Sequence, residues 1–366
     1  MSELGLHCKH LNQCANCSLG SISVEQQRLQ KRQSAEALFQ FPVTDVQRVG
    51  PLAFRDHFDL RVQNEVLGFM SRDKVHSFPL QDCPLGSSGL QKAFEKLRTF
   101  TFPIQKGSLR LRHSPFMEKP GLWLDFSNWD VKSLFEEGRL LRTLSDSFEI
   151  EIGQRRKALK FKNGKPHLQK EPLFRPWALT YLGPQKIPLF GQVASFTQTG
   201  AEAVKKLSQL LQSQLLSCAA ENILELGAGL GTLSFPALSD GRTLTVLEND
   251  PFALEGLKHT QEWVKENLDL QLNLKIRRGD FQRVSQEKLQ DSSFDTLLVN
   301  PPRSGLMKSA ELISRQKNLI YVSCSAESAH RDHLILKTHY DLKELIILDQ
   351  FPWTTHFELV LIYQAQ

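Results

Sequence analysis

No apolar run in this 366-residue chain reaches the roughly 18 residues that a membrane-crossing helix needs. Residues Met1 to His10 also lack the basic start and apolar core of a secretory signal. A cytoplasmic protein without a membrane partner is therefore expected. No repeat of solenoid length and no long linker interrupts the chain. With 21 Gly and 17 Pro, collagen-like and low-complexity architectures are excluded. Cysteine is scarce, at six residues: Cys8, Cys14, Cys17, Cys83, Cys218 and Cys324. In a reducing compartment such residues seldom form structural disulfides, so clustered ones point to metal binding or catalysis.

Net charge is also low, at +5, but it is unevenly divided. Residues 1–190 hold 28 basic and 19 acidic side chains, a surplus of +9, whereas residues 191–366 hold 17 and 21, a balance of −4. An anionic partner, nucleic acid foremost, is expected for the first half. At roughly 150 residues per domain the length suggests two domains.

Periodicity separates three regions. Residues 1–90 open with a cysteine-rich segment, continue through a polar stretch of helical character at Val24 to Leu38, and reach strand-like runs at Phe54 to Phe69. Residues 91–190 mix a helix near Leu90 to Leu97 with strands at Ser108 to Arg112 and Leu122 to Phe126. They end in a basic stretch with nine Lys or Arg between Arg155 and Lys186, around an Asn163-Gly164 hairpin turn. Its aromatic residues Phe161, Phe174 and Trp177 suit either base stacking or core packing. Residues 191–366 alternate helical and strand patterns: a helix at Gly200 to Leu216, then strands at Asn222 to Leu226, Thr243 to Glu248, Asp295 to Val299 and Leu319 to Ser323. That alternation predicts an α/β, mainly parallel, doubly wound sheet with its ligand at the carboxyl ends of the strands.

The first of those strands ends in Glu225-Leu226-Gly227-Ala228-Gly229-Leu230-Gly231, where the glycines permit a sharp turn and close backbone approach to a ligand. Glu225 is expected to point into the same crevice. Glu248 ends the next strand 23 residues later, where a ribose-binding carboxylate belongs. The turn lacks Gly-Lys-Ser/Thr, which excludes a P-loop, and it is spaced Gly-x-Gly-x-Gly rather than as the dinucleotide fingerprint. It resembles the S-adenosylmethionine (SAM) site of the class I methyltransferases. In that fold an acid resembling Asp280 faces the adenine amine, although a solvated loop acid is an equal reading.

Leu297 to Arg303 deliver Asn300 into a loop stiffened by Pro301 and Pro302, with Arg303 where amine methyltransferases carry an aromatic. The next strand ends Ser323-Cys324, placing a thiol at the same sheet edge. A nucleophile has a purpose there. Carbon 5 of uracil is too weak to attack a sulfonium methyl group, but thiolate addition at carbon 6 makes it an enolate carbon. A base must later remove the carbon-5 proton. Glu358, in Phe351-Pro352-Trp353-Thr354-Thr355-His356-Phe357-Glu358, lies among aromatic residues that would desolvate it and raise its pKa.

Together, Ser195-Phe196-Thr197-Gln198-Thr199, the glycine turn, Glu248, Asn300-Pro301-Pro302-Arg303, Ser323-Cys324 and the final Phe-Pro-x-Thr-x-His-x-Glu resemble the RNA 5-methyluridine methyltransferases. Within them the chain is most similar to the short bacterial 23S ribosomal RNA enzymes that carry an iron-sulfur cluster. The resemblance implies a Rossmann-like class I methyltransferase domain over 191–366, preceded by a smaller α+β RNA-binding region. It implies that Gln198, the Gly227 position, Glu248 and Asn300 contact SAM, that Cys324 is the nucleophile and that Glu358 is the base. Glu225, Gly229 and Asp280 complete the expected cofactor set.

Cys8, Cys14, Cys17 and then Cys83-Pro84 supply four thiolates, which suit either a [4Fe-4S] cluster or tetrahedral zinc. A compact trio plus a remote Cys-Pro, matched in the family, favours the cluster. Cys218 is expected in the core. Ribosomal RNA is the expected substrate and a monomer the expected state. Alternatives are a transfer RNA uridine, amine methylation through Asn-Pro-Pro, or a non-catalytic iron-sulfur RNA-binding protein.

Overall fold

A computed structural model describes residues 5–126, 130–280, 282, 293–313 and 316–366. The chain divides discontinuously into two units. One comprises Met1–Ile22, Pro51–Ala178 and Phe190–Gly200, the other Ser23–Gly50, Leu179–Leu189 and Ala201–Gln366. This departs from the boundaries expected at 90 and 190, because residues 23–50 join the carboxyl-terminal unit.

Besides a two-stranded hairpin that includes Leu179–Leu189, the strands of that second unit are β1 (Asp45–Arg48), β2 (Asn222–Leu226), β3 (Thr243–Glu248), β4 (Leu274–Arg278), β5 (Thr296–Val299), β6 (Asn318–Ser323), β7 (Tyr340–Asp349) and β8 (Glu358–Ala365). They form one sheet in the order β1-β7-β8-β6-β5-β2-β3-β4. All neighbours run parallel except β8, which is antiparallel to both β6 and β7. β2, β5 and β6 are almost wholly apolar and buried, as a sheet covered on both faces requires.

Helix α1 (Val24–Phe39) starts at a capping box, in which Ser23 and Gln26 satisfy each other's backbone N–H, and stops at Gln40 in the left-handed region. Its buried stripe is Gln27, Lys31, Ala35 and Phe39, spaced four apart on one face. Ala35 and Phe39 enter a core with Leu226, Val299 and Tyr321. Phe39 also packs its ring 5.5 Å from those of His330 and His333 on α4 (Ala326–Leu336), which follows α2 (Ala201–Ser217) and α3 (Pro251–Leu268) in the helix order.

The first unit is built on an eight-stranded sheet running, edge to edge, through residues 77–79, 66–70, 57–63, 106–112, 121–125, 149–152, 157–162 and 165–168. The helix Ser88–Leu97 buries Leu90, Ala93, Phe94 and Leu97, and Phe94 meets Phe58 edge-on at 5.8 Å. Asn163 and Gly164 have φ of 50° and 77°, the two positive angles of a tight hairpin turn. Trp177 is core, which removes it from the candidate stacking residues.

Replacing Phe39 by Ala empties a buried site on α1. Denaturant unfolding is expected to show a loss of about 3 kcal/mol or more, in the range for buried Phe to Ala changes.

Candidate active site

The glycine turn continues the ladder of the sheet: Gly227 N donates to Leu247 O at 3.0 Å. Gly227, Gly229 and Gly231 all have positive φ, at 77°, 57° and 93°. A side chain at Gly231 would strike Leu257 and Phe235 at 2.6 and 2.7 Å, so that glycine lets the turn lie against the structure behind it. At Gly229 a Cβ would meet nothing within 4 Å, which leaves an open cradle of backbone for a ligand.

Glu248 organises the cradle. Its Oε2 accepts from Gly229 N at 2.8 Å, and its Oε1 accepts from Asn249 N and Asp250 N, both at 2.7 Å. Asp280 follows the neighbouring strand and accepts from Gln282 N at 3.0 Å. It is half-buried beside Gly279, whose N donates to Glu248 O. Glu225 departs from expectation. It is fully buried and does not open to the crevice; Ser234 Oγ donates to its Oε2 at 2.6 Å. Burial pushes its pKa up to about 8. An acid of that kind supports the turn from beneath.

Asn300 N donates to Leu226 O at 3.2 Å, which ties the Asn-Pro-Pro loop to the glycine turn. α4 fastens the same loop. Asp332 Oδ2 accepts from Leu306 N at 2.6 Å and from Tyr321 Oη at 2.7 Å, and Arg331 donates to Ser304 O.

Cys324 and Glu358 meet through strand register. β6 pairs with β8 so that Ser323 stands opposite Leu359, which sets the next residue pair, Cys324 and Glu358, across from each other at the sheet edge. Burial pushes the Cys324 thiol up, the Glu358 charge adds to that, and the Arg303 guanidinium opposes both by a hydrogen bond and its charge. Glu358 is 2% exposed and burial pushes its pKa up to about 8, against the opposing effect of a hydrogen bond from Gln350. The desolvated carboxylate expected from the aromatic surroundings is thus present. His356 is exposed.

Gln198 lies in the first unit, on a segment that is tightly pinned there. Arg112, fully buried, donates to Ser195 O and Thr197 Oγ1 at 2.9 and 3.2 Å. Arg110 donates to Ala194 O at 2.9 Å, and Glu151 Oε2 accepts from Val193 N at 3.0 Å. Gln198 is buried, while Phe196 on the same segment is 73% exposed. Sequence reasoning quoted Phe196 only as part of a motif; an aromatic at an exposed position two residues from a candidate site residue was the available signal. Gln350 carried no such signal.

Cys8, Cys14, Cys17 and Cys83 line one cavity together with Arg55. Burial pushes Cys17 up to about 12, with the charges of Cys14 and Cys83 adding to it, and Cys83 up to about 11. Among the described residues no group of three or more His, Cys, Asp or Glu is arranged to hold a metal ion. Cys218 is half-buried after α2, and its Sγ donates to Leu215 O at 3.6 Å.

Residues 265–366 match the family model described as tRNA (Uracil-5-)-methyltransferase. An uncharacterized RNA methyltransferase of Bdellovibrio bacteriovorus is 34% identical over 342 residues, covering 91% of this chain and 87% of that one. The chain belongs to the RNA uracil-C5-methyltransferase family. It is a SAM-dependent RNA methyltransferase. Other relatives are a tRNA (uracil(54)-C(5))-methyltransferase of Pyrococcus horikoshii, 26% identical over 98% of this chain and 85% of that one, and a 23S rRNA (uracil(1939)-C(5))-methyltransferase RlmD of Shewanella woodyi, 24% identical over 98% and 81%. The solved Pyrococcus abyssi tRNA (uracil-54, C5)-methyltransferase, in complex with S-adenosyl-L-homocysteine, superposes with a TM-score of 0.70 at 21% identity, covering 96% of this chain and 86% of that one. The class I methyltransferase fold is therefore common to both.

In this methyltransferase, Glu248→Ala removes the acceptor for three backbone amides at the cradle. Calorimetry should show SAM affinity reduced by roughly tenfold or more, the scale of losing one charge-assisted hydrogen bond.

Proposed function

We propose that the enzyme methylates carbon 5 of a uridine in 23S ribosomal RNA, with Cys324 as nucleophile and Glu358 as general base. The observation that carries this reading is the β6–β8 register, which pairs a thiol and a desolvated carboxylate at the sheet edge beside the cofactor turn. SAM, when bound, supplies the electrophilic methyl group. Gly227 and Gly229 would give it backbone to lie against, Glu248 would hold the ribose, Asp280 the adenine amine, and Asn300 would complete the contacts made from this unit.

Arg303 favours the Cys324 thiolate by hydrogen bond and charge. The thiolate adds to uracil carbon 6, and the electrons of the 5,6 double bond pass into the enolate. Carbon 5 then takes the methyl group as the methyl–sulfur bond breaks. Glu358 removes the carbon-5 proton, the electrons of that C–H bond re-form the double bond, and Cys324 leaves as thiolate. The net release is one proton, held first by Glu358.

The basic hairpin supports RNA as the substrate class. Lys162, Lys165 and Lys170 are exposed along residues 157–170, and the Arg142 guanidinium lies 4.1 Å from the Phe161 ring centre. We assign a [4Fe-4S] cluster to Cys8, Cys14, Cys17 and Cys83. Four thiols lining one cavity, Cys14 and Cys17 buried and Cys8 and Cys83 half-buried, become stable thiolates only against a cationic partner, which a cluster would supply. With all four cysteines as ligands such a cluster would brace the region that carries them. The ribosomal substrate rests on the resemblance to the cluster-bearing ribosomal enzymes. A transfer RNA uridine is the second reading, supported by the archaeal relatives.

Mass-spectrometric mapping of 5-methyluridine in ribosomal and transfer RNA, with and without the gene, separates the two substrates. Loss of a ribosomal 5-methyluridine is expected, and Cys324→Ala should not restore it; an unchanged ribosomal profile would refute the proposed substrate. Because the carboxyl is pushed up to about 8, turnover should rise between pH 7 and 9, and the thiol, also pushed above its usual range, should carry the rise on to higher pH. Protein purified without oxygen should hold iron and sulfide in equal amounts, and Cys17→Ser should lose both together with the brown absorbance.

A further inference from the structure

Glu358 is held by a side chain that the methylation chemistry itself does not call for. Gln350 is fully buried, and its Nε2 donates to Glu358 Oε2 at 2.6 Å. With Oε2 engaged the carboxylate has one orientation, and Oε1 is the oxygen that takes a proton. The connection from β7 to β8 that carries Gln350 is itself tightly folded: Gln350 N donates to Leu348 O at 2.9 Å, and Trp353 has φ of 72°.

That connection is gripped from far away in sequence. On α1, Lys31 Nζ donates to Asp349 Oδ1 at 2.7 Å and to Phe351 O at 2.9 Å. Arg28 Nε donates to Asp349 Oδ2 at 2.9 Å, and Gln27 Oε1 accepts from Trp353 N at 2.6 Å. Lys31 and Asp349 are both buried, and burial lowers the Lys31 pKa against the raising effect of Asp349. A buried ion pair is poor value as a source of stability, since an apolar pair of similar size often does as well, but it does specify one geometry. The residues it flanks are the ones that lead into the base.

We propose that Gln350 is a positioning residue for the Glu358 base, and that the Lys31–Asp349–Arg28 strut from α1 serves to hold Gln350 in place. This rests on Glu358 being the base. The other groups facing Glu358 are the Cys324 thiol across the strand pair and, bound to that thiol, Arg303; His356 lies on its own loop and is exposed. Of these, Gln350 is the one that hydrogen-bonds to the carboxylate directly.

The test is the pH profile of turnover, together with the fraction of enzyme trapped as a covalent adduct with RNA, in the full chain carrying Gln350→Leu. Loss of the donor favours the protonated carboxyl, so the rising limb should move to higher pH. Below that limb kcat should fall about tenfold for each pH unit of movement, with the methylated adduct accumulating and KM for RNA little changed. Lys31→Met should move the limb in the same direction by less, with SAM affinity intact. An unmoved limb, or a loss equal at every pH without adduct, overturns the proposal. Should Gln350→Leu not fold, Gln350→Asn, whose shorter amide cannot reach, gives the same measurement. Glu358→Gln serves as the control. If it turns over normally, the assignment of the base fails; if it blocks turnover while Gln350→Leu behaves as wild type, only the positioning role fails.

Discussion

The edge where the Cys324 thiol meets the Glu358 carboxylate depends on one strand running against the rest. β8 enters antiparallel between β6 and β7, and its first residue is Glu358. In a parallel sheet the carboxyl ends of the strands collect at one edge; reversing a strand brings an amino end there as well. Glu358 reaches the edge where Cys324 and Asn300 emerge because of that reversal. The position, interior to the sheet rather than at its rim, also buries the carboxylate, and burial is what lifts its proton affinity to about 8.

The same strand explains why an amino-terminal segment belongs to the catalytic unit. β1 extends the sheet beside β7, and α1 lays Ala35 and Phe39 into its core while Gln27 and Lys31 reach the β7–β8 connection. One helix face thus does two jobs, apolar packing at one end and polar anchoring at the other. The cysteine-bearing residues before it and the basic hairpin after it fold into the other unit. The second unit is consequently assembled from pieces, Ser23–Gly50 and Leu179 onward, separated by more than a hundred residues.

Much of this was legible in the sequence where a single element carries the signal. β2 and β3 were readable at their ends because apolar β-branched and Leu-rich runs are bounded by Gly or acid, and the helix from Ser88 was readable from the spacing of Leu90, Phe94 and Leu97. Cys324 was legible as the residue that closes a strand because the apolar run at residues 319–322 leads up to it. Less was legible where polar residues are buried. Lys31 and Gln27 made α1 read only as a polar stretch of helical character, and Glu225 looked like a ligand-facing acid although it is buried with Ser234.

What the sequence by itself determined is the chemistry available and the local shapes that present it: a glycine turn that only small residues can make, a stiffened Asn-Pro-Pro loop, a thiol and an acid at strand ends, four cysteines near the amino terminus. Those follow from backbone sterics and side-chain type, which act over a few residues. Tertiary structure alone decided which of these meet. Strand order, the reversal of β8 and the docking of α1 set the surroundings of each group, and a carboxylate's proton affinity or a lysine's partner depends on the dielectric and charges around it, which no stretch of neighbouring residues specifies.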